Sequence, residues 1–350
     1  MRKIDYDARW REKKEHYKKP LVLKSYDEII TFPNLYKAYK KARARKASKK
    51  EVMVFEQNLA ENLWNLYDKL KERRWDEIFV YHRFFIQKPK PRKIDTLDFE
   101  GRIVQHLICD NGVGEWFDRR LVKECAACRK GMGTHYAAYM AKQHFQDYVS
   151  RYGTEGYILK IDIKKFFENI DHKVLKNKVA KINEPSLKEF LFYIIDHTPE
   201  TKGLPIGNQT SQWLALYYLD RLDRIIKEKY QCKYYIRYMD DLIIIHNDKK
   251  FLQKILKELT EIANDELYLT FNTKTQIVNL KQGFTFVGWR FKLSSKGKVI
   301  IKLNSAKRKE NRSKIKEVLY LHANGLISYN KMLEKINSIV AHMKSIYQIE

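Results

Sequence analysis

The stretch YYIRYMDDLIIIH, residues 234–246, decides how the rest of the chain is interpreted. Two apolar runs, Tyr234–Tyr238 and Leu242–His246, flank Asp240 and Asp241, which predicts two strands joined by a turn at Met-Asp-Asp. An acidic pair more often lies at an exposed turn without a chemical role. The apolar flanks argue against that alternative, because Asp is a poor strand residue and adjacent carboxylates are costly unless a cation neutralises them.

A second acid ends another predicted strand. Tyr157–Ile161 is an apolar run typical of a buried strand, and Asp162 follows it directly. Magnesium prefers oxygen ligands, and phosphoryl transfer is catalysed by two metal ions ~3.5–4 Å apart that stabilise the attacking and leaving oxygens. A strand end and a hairpin turn can bring carboxylates from separate segments to one point. Asp162, Asp240 and Asp241 are therefore predicted to hold two Mg²⁺ ions, with Mn²⁺ as a possible substitute.

The charge of the chain indicates what it binds. Lys and Arg number 69 against 43 Asp and Glu, which gives a net charge of +26. Hydrophobic residues make up 44% of the chain, which indicates a folded protein and not a disordered tail. Such an excess attracts polyanions, with nucleic acid as the first candidate and an anionic membrane surface as the alternative. No apolar run reaches the ~20 residues of a bilayer span, and Met1–Asp5 lacks the apolar stretch of a signal peptide. We therefore expect no membrane partner and a cytoplasmic location.

The cysteines raise the question of zinc. His106-x-x-Cys109 and Cys125-x-x-Cys128 have the spacing of two zinc half-sites. The alternative is that these are ordinary residues of a helix and of the segment after it. We favour the ordinary interpretation and keep zinc as a minor alternative, for a reason that follows from the fingers motif below.

Periodicity predicts the remaining elements. Apolar residues at helical spacing begin with Phe55, Leu59 and Leu63 and continue to Leu70. On this basis we expect helices over residues 50–73, 100–120, 134–151, 209–228, 305–322 and 327–347, with the last two broken at Asn324-Gly325, and strand pairs over residues 79–98 and 284–303. Residues 1–50 are polar and basic.

Several of these segments resemble motifs of reverse transcriptases. Tyr238-Met239-Asp240-Asp241 looks like the catalytic box of that family, and Asp162–Phe167 is similar to its first acidic motif. The other matching segments are Lys274 within Phe271–Thr275 for the later lysine motif, Phe286–Trp289 for the primer-grip turn, and Lys88–Ile94 and Ala127–His135 for the fingers motifs. The resemblance covers roughly residues 80–290. Cys128 then belongs to a polymerase motif, which is why zinc is discounted.

The central loop narrows the resemblance. Most reverse transcriptases carry Gln-Gly-x-x-x-Ser-Pro there, whereas this chain has IGNQTSQ at residues 206–212. Ile-Gly-x-x-x-Ser-Gln resembles the enzymes of diversity-generating retroelements, and the fingers string Ala127–Gly131 is similar to that group as well. These enzymes copy a template-repeat RNA with errors concentrated at adenines. The resemblance implies such a function here.

The resemblance also implies roles for individual residues. Asp162 and Asp240 would bridge the metals, the Ile163 carbonyl would add a ligand, and Asp241 would be the weakest direct ligand. Phe167 would be the steric gate that rejects a ribose 2′-hydroxyl, with core packing as its alternative.

Phosphate and primer contacts complete the implied site. Arg129, Lys88 and Arg92 would grip triphosphate or template, with contact to the RNA backbone as the alternative. Lys274 would protonate the leaving pyrophosphate, with a surface lysine on a strand edge as the alternative. The remaining residues implied are Ile206, Gly207 and Gln212 at the nucleotide, and Val287, Gly288 and Trp289 in the primer grip.

The predicted fold is therefore α+β, a right-hand polymerase. We expect a basic N-terminal helical extension at 1–75, fingers at 76–156 with a further segment at about 173–200, a split βαβ palm at 157–290 and a short helical thumb at 291–350. The expected partners are template RNA, a cDNA primer end, dNTPs and a small basic accessory protein that forms a ring. A phage-defence or group II intron-like reverse transcriptase is the alternative within the class, and a non-catalytic RNA-binding scaffold is the alternative outside it.

Overall fold

The N-terminal part of the computed structural model is helical. The structure describes residues 5–87, 91–294 and 296–344. Its first helices are α1 Tyr6–Lys18, α2 Tyr26–Ile29, α3 Phe32–Arg43, α4 Lys50–Gln57 and α5 Leu59–Lys71, followed by a 3-10 turn at Trp75–Glu77. The single helix predicted over 50–73 is two helices, because the backbone of Asn58 leaves the helical region at φ −126° and ψ 51°. Ser25 and Glu28 form a capping box that starts α2.

A hairpin and three helical segments follow. The hairpin is β1 Tyr81–Ile86 paired antiparallel with β2 Arg92–Leu97, as predicted for residues 79–98. The helical segments are α6 Phe99–Ile108 and α7 Gly114–Arg120, separated by a π turn at Cys109–Val113, and α8 Thr134–Tyr152. The helices predicted over 100–120 and 134–151 are confirmed, the first with this π turn inside it.

The central sheet has the strand order β4-β5-β3-β6, and every pairing in it is antiparallel. Its strands are β3 Tyr157–Asp162, β4 Tyr235–Tyr238, β5 Asp241–His246 and β6 Gln276–Asn279. The helices between and after them are α9 Phe166–Asn169, α10 His172–Val179, α11 Pro185–Asp196, α12 Gln209–Tyr218, α13 Asp220–Arg224 and α14 Lys249–Asp265. The helix predicted over 209–228 is present as α12, α13 and a π turn at Ile225–Lys229.

A second sheet and two helices end the described chain. The sheet has the order β7-β8-β9, with β7 Phe284–Phe286, β8 Trp289–Leu293 and β9 Val299–Leu303. The prediction of one strand pair over 284–303 was wrong, because the turn at Val287-Gly288 divides its first half into two strands. Helices α15 Ser305–Ala323 and α16 Tyr329–Lys344 break at Asn324-Gly325 as predicted.

Strand alternation gives the central sheet a core on each face. On β3, Leu159 and Ile161 join the large core built with the N-terminal helices, whereas Ile158 joins a second core with α8 and the β7–β9 sheet. Leu242 and Ile243 of β5 divide in the same way. Both faces of the sheet are therefore covered, and its chemistry is restricted to the strand ends. The α+β class is confirmed, and no helix within the described ranges is both long and apolar enough to cross a bilayer.

Two glycines of the second sheet offer a matched test of backbone geometry. Gly283 has φ +65°, and a Cβ there would lie 2.1 Å from the Phe291 carbonyl oxygen. Gly288 has φ +88°, but a Cβ there would meet no atom within 4 Å. Both substitutions to Ala carry the strain of a positive φ, and only Gly283→Ala adds a backbone clash. We expect Gly283→Ala to lower the free energy of unfolding by about 1–3 kcal/mol more than Gly288→Ala. Urea denaturation measures this, and equal losses would contradict the geometry.

Candidate active site

The sheet register brings the three acids to one end of the sheet. β3 and β5 run antiparallel with Asp162 opposite Asp241. β4 and β5 pair Tyr238 with Asp241, so Met239 and Asp240 form a two-residue hairpin turn. The second strand of this hairpin begins at Asp241, one residue earlier than predicted. Carboxylates 78 and 79 positions apart in the sequence are thereby placed at the same strand ends, as the sequence analysis expected.

The turn formed by Met239 and Asp240 has a strained backbone. Met239 has φ +55°, a backbone conformation that residues other than Gly adopt rarely. A positive φ at the first central position of a two-residue hairpin loop matches the twist of the flanking strands, and Gly normally supplies it. A methionine there costs on the order of 1–3 kcal/mol and persists only when its surroundings hold it. The turn that presents Asp240 is therefore held against a local preference.

Lys160 is a further residue of the site, which the sequence analysis missed. Its Nζ lies 3.1 Å from Asp241 Oδ2 and donates to the Thr285 carbonyl oxygen at 3.0 Å. Lys160 therefore joins Asp241 to the hairpin that carries Val287. The available signal was its position two residues before Asp162, since residues two apart on a strand point to the same face.

Burial makes Asp240 and Asp241 hard to ionise. Burial raises the pKa of Asp240; the charge of Asp162 adds to this, and Arg92 and Arg237 oppose it. Burial likewise raises the pKa of Asp241 to about 6, although Lys160 lowers it. Asp241 Oδ1 is buried and has no hydrogen-bond partner among the described residues. These carboxylates thus present charge and lone pairs that a cation would satisfy.

These residues fit magnesium shared with a substrate. Within the described ranges, no three His, Cys, Asp or Glu side chains are grouped so that they could hold an ion by themselves. Mg²⁺ in enzymes is commonly held by one or two carboxylates plus substrate phosphates and water, so a partial protein shell suits it.

The backbone of Ile163 is available beside the acids. Ile163 is bridged to Phe271, and the hydrogen bonds of this pairing run from Lys164 N to Thr270 O and from Asn272 N to Asp162 O. Ile163 and Phe271 therefore form a non-hydrogen-bonded pair, and the Ile163 carbonyl is not used in this pairing. This leaves the carbonyl free for the ligand role that the resemblance implies.

The same pairing positions Lys274. Thr275 Oγ1 accepts a hydrogen bond from Asp162 N at 3.2 Å, which attaches the segment before β6 to the end of β3. Lys274 immediately precedes Thr275, and its side chain is exposed. The structure thus places Lys274 on the segment that contacts Asp162, with an ammonium group accessible to solvent.

Phe167 and the central loop are attached to each other. Phe166 is buried in the core, and Phe167 is half-buried and packs against the same core. The Phe167 carbonyl accepts from Leu204 N at 2.8 Å. Two residues further on, Ile206 is half-buried and Gly207 is exposed with φ +110°.

The far end of the loop is held by the N-terminal half of the chain. Asn208 Nδ2 donates to the Tyr81 hydroxyl at 3.0 Å, and Gln209 N donates to Gln105 Oε1 at 2.6 Å. Gln212 is half-buried in the first turn of α12. The loop is therefore attached at both ends, and Ile206 lies between the attachments.

Arg129 corrects one prediction. Its side chain is fully buried, and its Nε pairs with Asp118. Its Nη1 donates to the carbonyls of Val122 at 2.7 Å and Cys125 at 2.9 Å, and its Nη2 donates to the Asp118 carbonyl at 3.0 Å. Because its donors are engaged inside the protein, Arg129 does not bind a triphosphate; it holds the segment that contains Val122 and Cys125 in place. Its partner, eleven residues earlier, gave no local signal in the sequence.

The other predicted phosphate ligands differ from Arg129. Arg92 is exposed at the start of β2, and its charge lowers the pKa of Asp240. Its guanidinium is therefore accessible and electrostatically coupled to the acids. Lys88 lies outside the described residues.

The predicted primer-grip residues form a tight hairpin turn. Phe286 pairs with Trp289, and the two residues between them have positive φ, +43° at Val287 and +88° at Gly288. This is the signature of a type I′ turn. Trp289 is buried, so the Val287-Gly288 tip is what the hairpin presents, while Lys160 ties its strand to Asp241.

The four zinc candidates are distributed through the fold. Cys109 and Cys125 are buried, Cys128 is exposed, and burial raises the pKa of each of these thiols. His106 Nδ1 lies 3.6 Å from Asp110. Within the described ranges they form no metal-binding group of three.

The raised pKa of Asp241 predicts a pH-dependent stability. An unfolded chain gives Asp a pKa of about 4, so the metal-free folded state binds this proton more tightly, and the resulting stabilisation is lost as the pH rises through about 6. The free energy of unfolding of Asp241→Asn, relative to that of the wild type, should therefore rise by roughly 1–3 kcal/mol as the pH is raised from about 4 to about 7.

Urea unfolding in EDTA at several pH values measures this difference. The variant removes the ion pair with Lys160 at every pH, which shifts its stability by a constant amount. The pH-dependent part of the difference therefore reflects the ionisation of the Asp241 carboxyl. Magnesium should flatten the wild-type curve. Parallel curves for variant and wild type in EDTA would contradict the assignment.

Comparison with known proteins agrees with this geometry. The family model described as reverse transcriptase (RNA-dependent DNA polymerase) matches residues 86–291. A putative COX1/OXI3 intron 2 protein of Saccharomyces cerevisiae is 22% identical over 40% of this chain and 24% of its own length. The Gag-Pro-Pol polyprotein of mouse mammary tumor virus is 25% identical over 34% of this chain and 7% of its own length. The chain thus spans about a quarter or less of these relatives.

Solved structures similar to the chain include two telomerases. Telomerase from Candida albicans in complex with a TWJ fragment of telomeric RNA has a TM-score of 0.48 at 14% identity, covering 79% of this chain and 58% of that one. Apo telomerase from Candida tropicalis has a TM-score of 0.48 at 12% identity, covering 82% and 61%. The family model alone spans more than half of the chain. The chain therefore belongs to the reverse transcriptase family, the RNA-dependent DNA polymerases.

Proposed function

We propose that this protein copies a template-repeat RNA into cDNA with errors concentrated at adenines, as the reverse transcriptase of a diversity-generating retroelement. We infer the polymerase activity from the strand register that sets Asp162 opposite Asp241, with Asp240 in the adjoining turn. The observation that supports the retroelement assignment is Ile206, at the place where most of the family has glutamine.

The proposed chemistry is nucleotidyl transfer. When bound, two Mg²⁺ ions, or Mn²⁺, supply charge stabilisation at the attacking and leaving oxygens. Asp162 and Asp240, with the Ile163 carbonyl, would hold them, and Asp241 would add negative charge. A non-catalytic scaffold gains nothing from half-buried acids with raised pKa values, and this argues for the enzyme.

The chain's own residues would bind and orient the nucleotide. Phe167 is half-buried where a gate against the 2′-hydroxyl is proposed. The exposed guanidinium of Arg92 would contact phosphate, since its planar fork suits phosphate oxygens. The exposed ammonium of Lys274 would donate a proton to pyrophosphate as a general acid.

Ile206 would weaken the positioning of the nascent base pair. A site that hydrogen-bonds its ligand discriminates well, because a wrong pose leaves polar groups unpaired. Isoleucine offers only shape and apolar contact, which separate close analogues by about 1–3 kcal/mol. Because the loop is attached to Phe167 on one side and to Tyr81 on the other, a change at Ile206 acts within a fixed frame. The preference for adenine rests on the resemblance.

The proposed partners follow from charge and resemblance. A net charge of +26 supports binding of template RNA and of the cDNA primer end. We further propose a small basic, ring-forming accessory protein and a cytoplasmic location. The division into an extension at 1–75, fingers, palm and a thumb from 291 is part of the same proposal.

A second candidate function is that of a group II intron-like reverse transcriptase. The relative from Saccharomyces cerevisiae, a putative intron 2 protein, favours it. An enzyme of this kind would copy its RNA without an excess of errors at adenine, and the same would hold for a phage-defence enzyme. The error spectrum of the cDNA therefore separates these candidates from the retroelement proposal.

The polymerase activity is tested by Asp240→Asn. Loss of this carboxylate should slow primer extension on an RNA template by about 100-fold or more, while RNA binding persists because the basic surface is unchanged. Asp265→Asn, at the exposed end of α14, is the matched control and should extend normally. Rapid-quench extension and fluorescence anisotropy measure the two properties. Normal primer extension by Asp240→Asn would contradict the assignment of Asp240 as a catalytic acid.

The retroelement assignment is tested by Ile206→Gln. A side chain that can hydrogen-bond near the incoming nucleotide should lower misincorporation at template adenines by at least about fivefold. Ile206→Leu keeps an apolar side chain of equal size and should leave the error rate unchanged. Deep sequencing of cDNA made in vitro gives both rates. If both variants match the wild type at adenines, Ile206 is not the determinant; an adenine error rate in the wild type equal to that at other bases would favour the second candidate.

A further inference from the structure

A buried ion pair lies directly behind the catalytic turn. The side chains of Arg237 and Asp223 are both inaccessible to solvent. Arg237 Nη2 lies 2.5 Å from Asp223 Oδ2, and its Nε lies 2.7 Å from Asp223 Oδ1, so the contact is bidentate. The Tyr235 hydroxyl donates to Asp223 Oδ1 at 2.5 Å. Asp223 thus fixes the orientation of the guanidinium.

The remaining donors of this guanidinium reach the turn and a helix. Arg237 Nη1 donates to the Met239 carbonyl at 3.0 Å, and Nη2 donates to the Leu216 carbonyl of α12 at 3.1 Å. One side chain therefore connects α12, α13 and the strained residue that precedes Asp240. The bond to the Met239 carbonyl holds the conformation that the sequence of the turn does not favour.

The backbone of Arg237 is fixed as well. Arg237 N donates to the Glu124 carbonyl at 3.0 Å, and Ala126 N donates to the Arg237 carbonyl at 2.9 Å. The segment that contains these partners is itself held by Arg129, which bonds the Val122 and Cys125 carbonyls. The catalytic turn is therefore positioned relative to the fingers motif through two buried Arg–Asp pairs.

Stability alone is a weak reason for such a pair. Removing two charges from water costs several kcal/mol per ion, and well-packed apolar residues are often as stable or more so. A planar guanidinium, in contrast, has donors in a fixed fork and can hold a carboxylate and a carbonyl at the same time. The feature that requires this fork is the positive-φ turn, since strain of this kind persists only where the surroundings over-determine it.

We propose that Arg237, oriented by Asp223, is a positioning residue that clamps the Met239 carbonyl and so sets the place of the Asp240 carboxylate. The inference rests on the proposed function only in taking Asp240 as a catalytic acid. It assigns to a residue outside the catalytic motif a specific effect on the chemical step, transmitted through one hydrogen bond.

The central test is Arg237→Lys. Lysine keeps the positive charge beside Asp223, but its single ammonium lacks the fork that reaches the Met239 carbonyl at the same time. We expect kcat for single-nucleotide addition to fall about 100-fold, as displacements of about 1 Å do. The KM for dNTP should stay within about threefold, because the nucleotide contacts are unchanged, and half-saturation with Mg²⁺ should require a higher concentration.

Tyr235→Phe is the matched control. It removes a hydrogen bond from the same Asp223 and is also fully buried, but it leaves the bond from Arg237 to the Met239 carbonyl in place. It should lower the thermal unfolding temperature while kcat stays within about threefold of wild type. A common loss of kcat in both variants, in proportion to their loss of stability, would overturn the proposal and leave the pair a purely structural role.

Two further measurements keep the outcome decisive. If Arg237→Lys does not fold, Asp223→Asn, which preserves the shape of the partner, is judged by the same split between kcat and KM, with a decrease of kcat by about tenfold or more expected. Wild-type kcat in a folded Arg237→Lys enzyme would refute the clamp even if Asp240→Asn is inactive. Extension by Asp240→Asn would instead refute the proposed function, so the two failures are distinguishable.

Discussion

The antiparallel register of β3 against β5 is the constraint on which the rest of the structure depends. It sets Asp162 opposite Asp241, and it sends alternate side chains of both strands into two separate cores. A shift by one residue would turn every side chain to the opposite face. Apolar residues would then leave both cores, and the acids would no longer meet. The packing of the two cores and the geometry of the acids are therefore secured by the same pairing.

The site is held in a state that is unfavourable for an isolated protein. Burial raises the pKa values of Asp240 and Asp241, one oxygen of Asp241 is unpartnered among the described residues, and Met239 has a positive φ. Each feature costs free energy that the surrounding fold offsets. Active sites commonly keep such costs, because groups that relaxed into their most stable arrangement would no longer present charge to a ligand.

Hydrogen bonds from distant segments of the chain offset these costs. Lys160 connects Asp241 to the β7–β8 hairpin, Arg237 connects the turn to α12, and Thr275 connects Asp162 to the segment that carries Lys274. As a result, the three acids, the β7–β8 hairpin and the segment that carries Lys274 are held in fixed positions relative to one another. Arg129 has a similar part, since the guanidinium that the sequence suggested for phosphate binding holds the segment that contains Val122 and Cys125 in place.

The sequence by itself determined the strand that ends at Asp162, the hairpin with the acids at its turn, the β1–β2 pair and the helix break at Asn324-Gly325. These features depend on local periodicity and turn chemistry, which are legible over a few neighbouring residues. Only the tertiary structure decided that helix 50–73 breaks at Asn58, that 284–303 forms three strands, and that Arg129 and Arg237 are buried against Asp118 and Asp223. The physical reason is that an arginine in the sequence specifies a charge and the length of a side chain. Its partner and its burial are set by which segments the packed cores bring together.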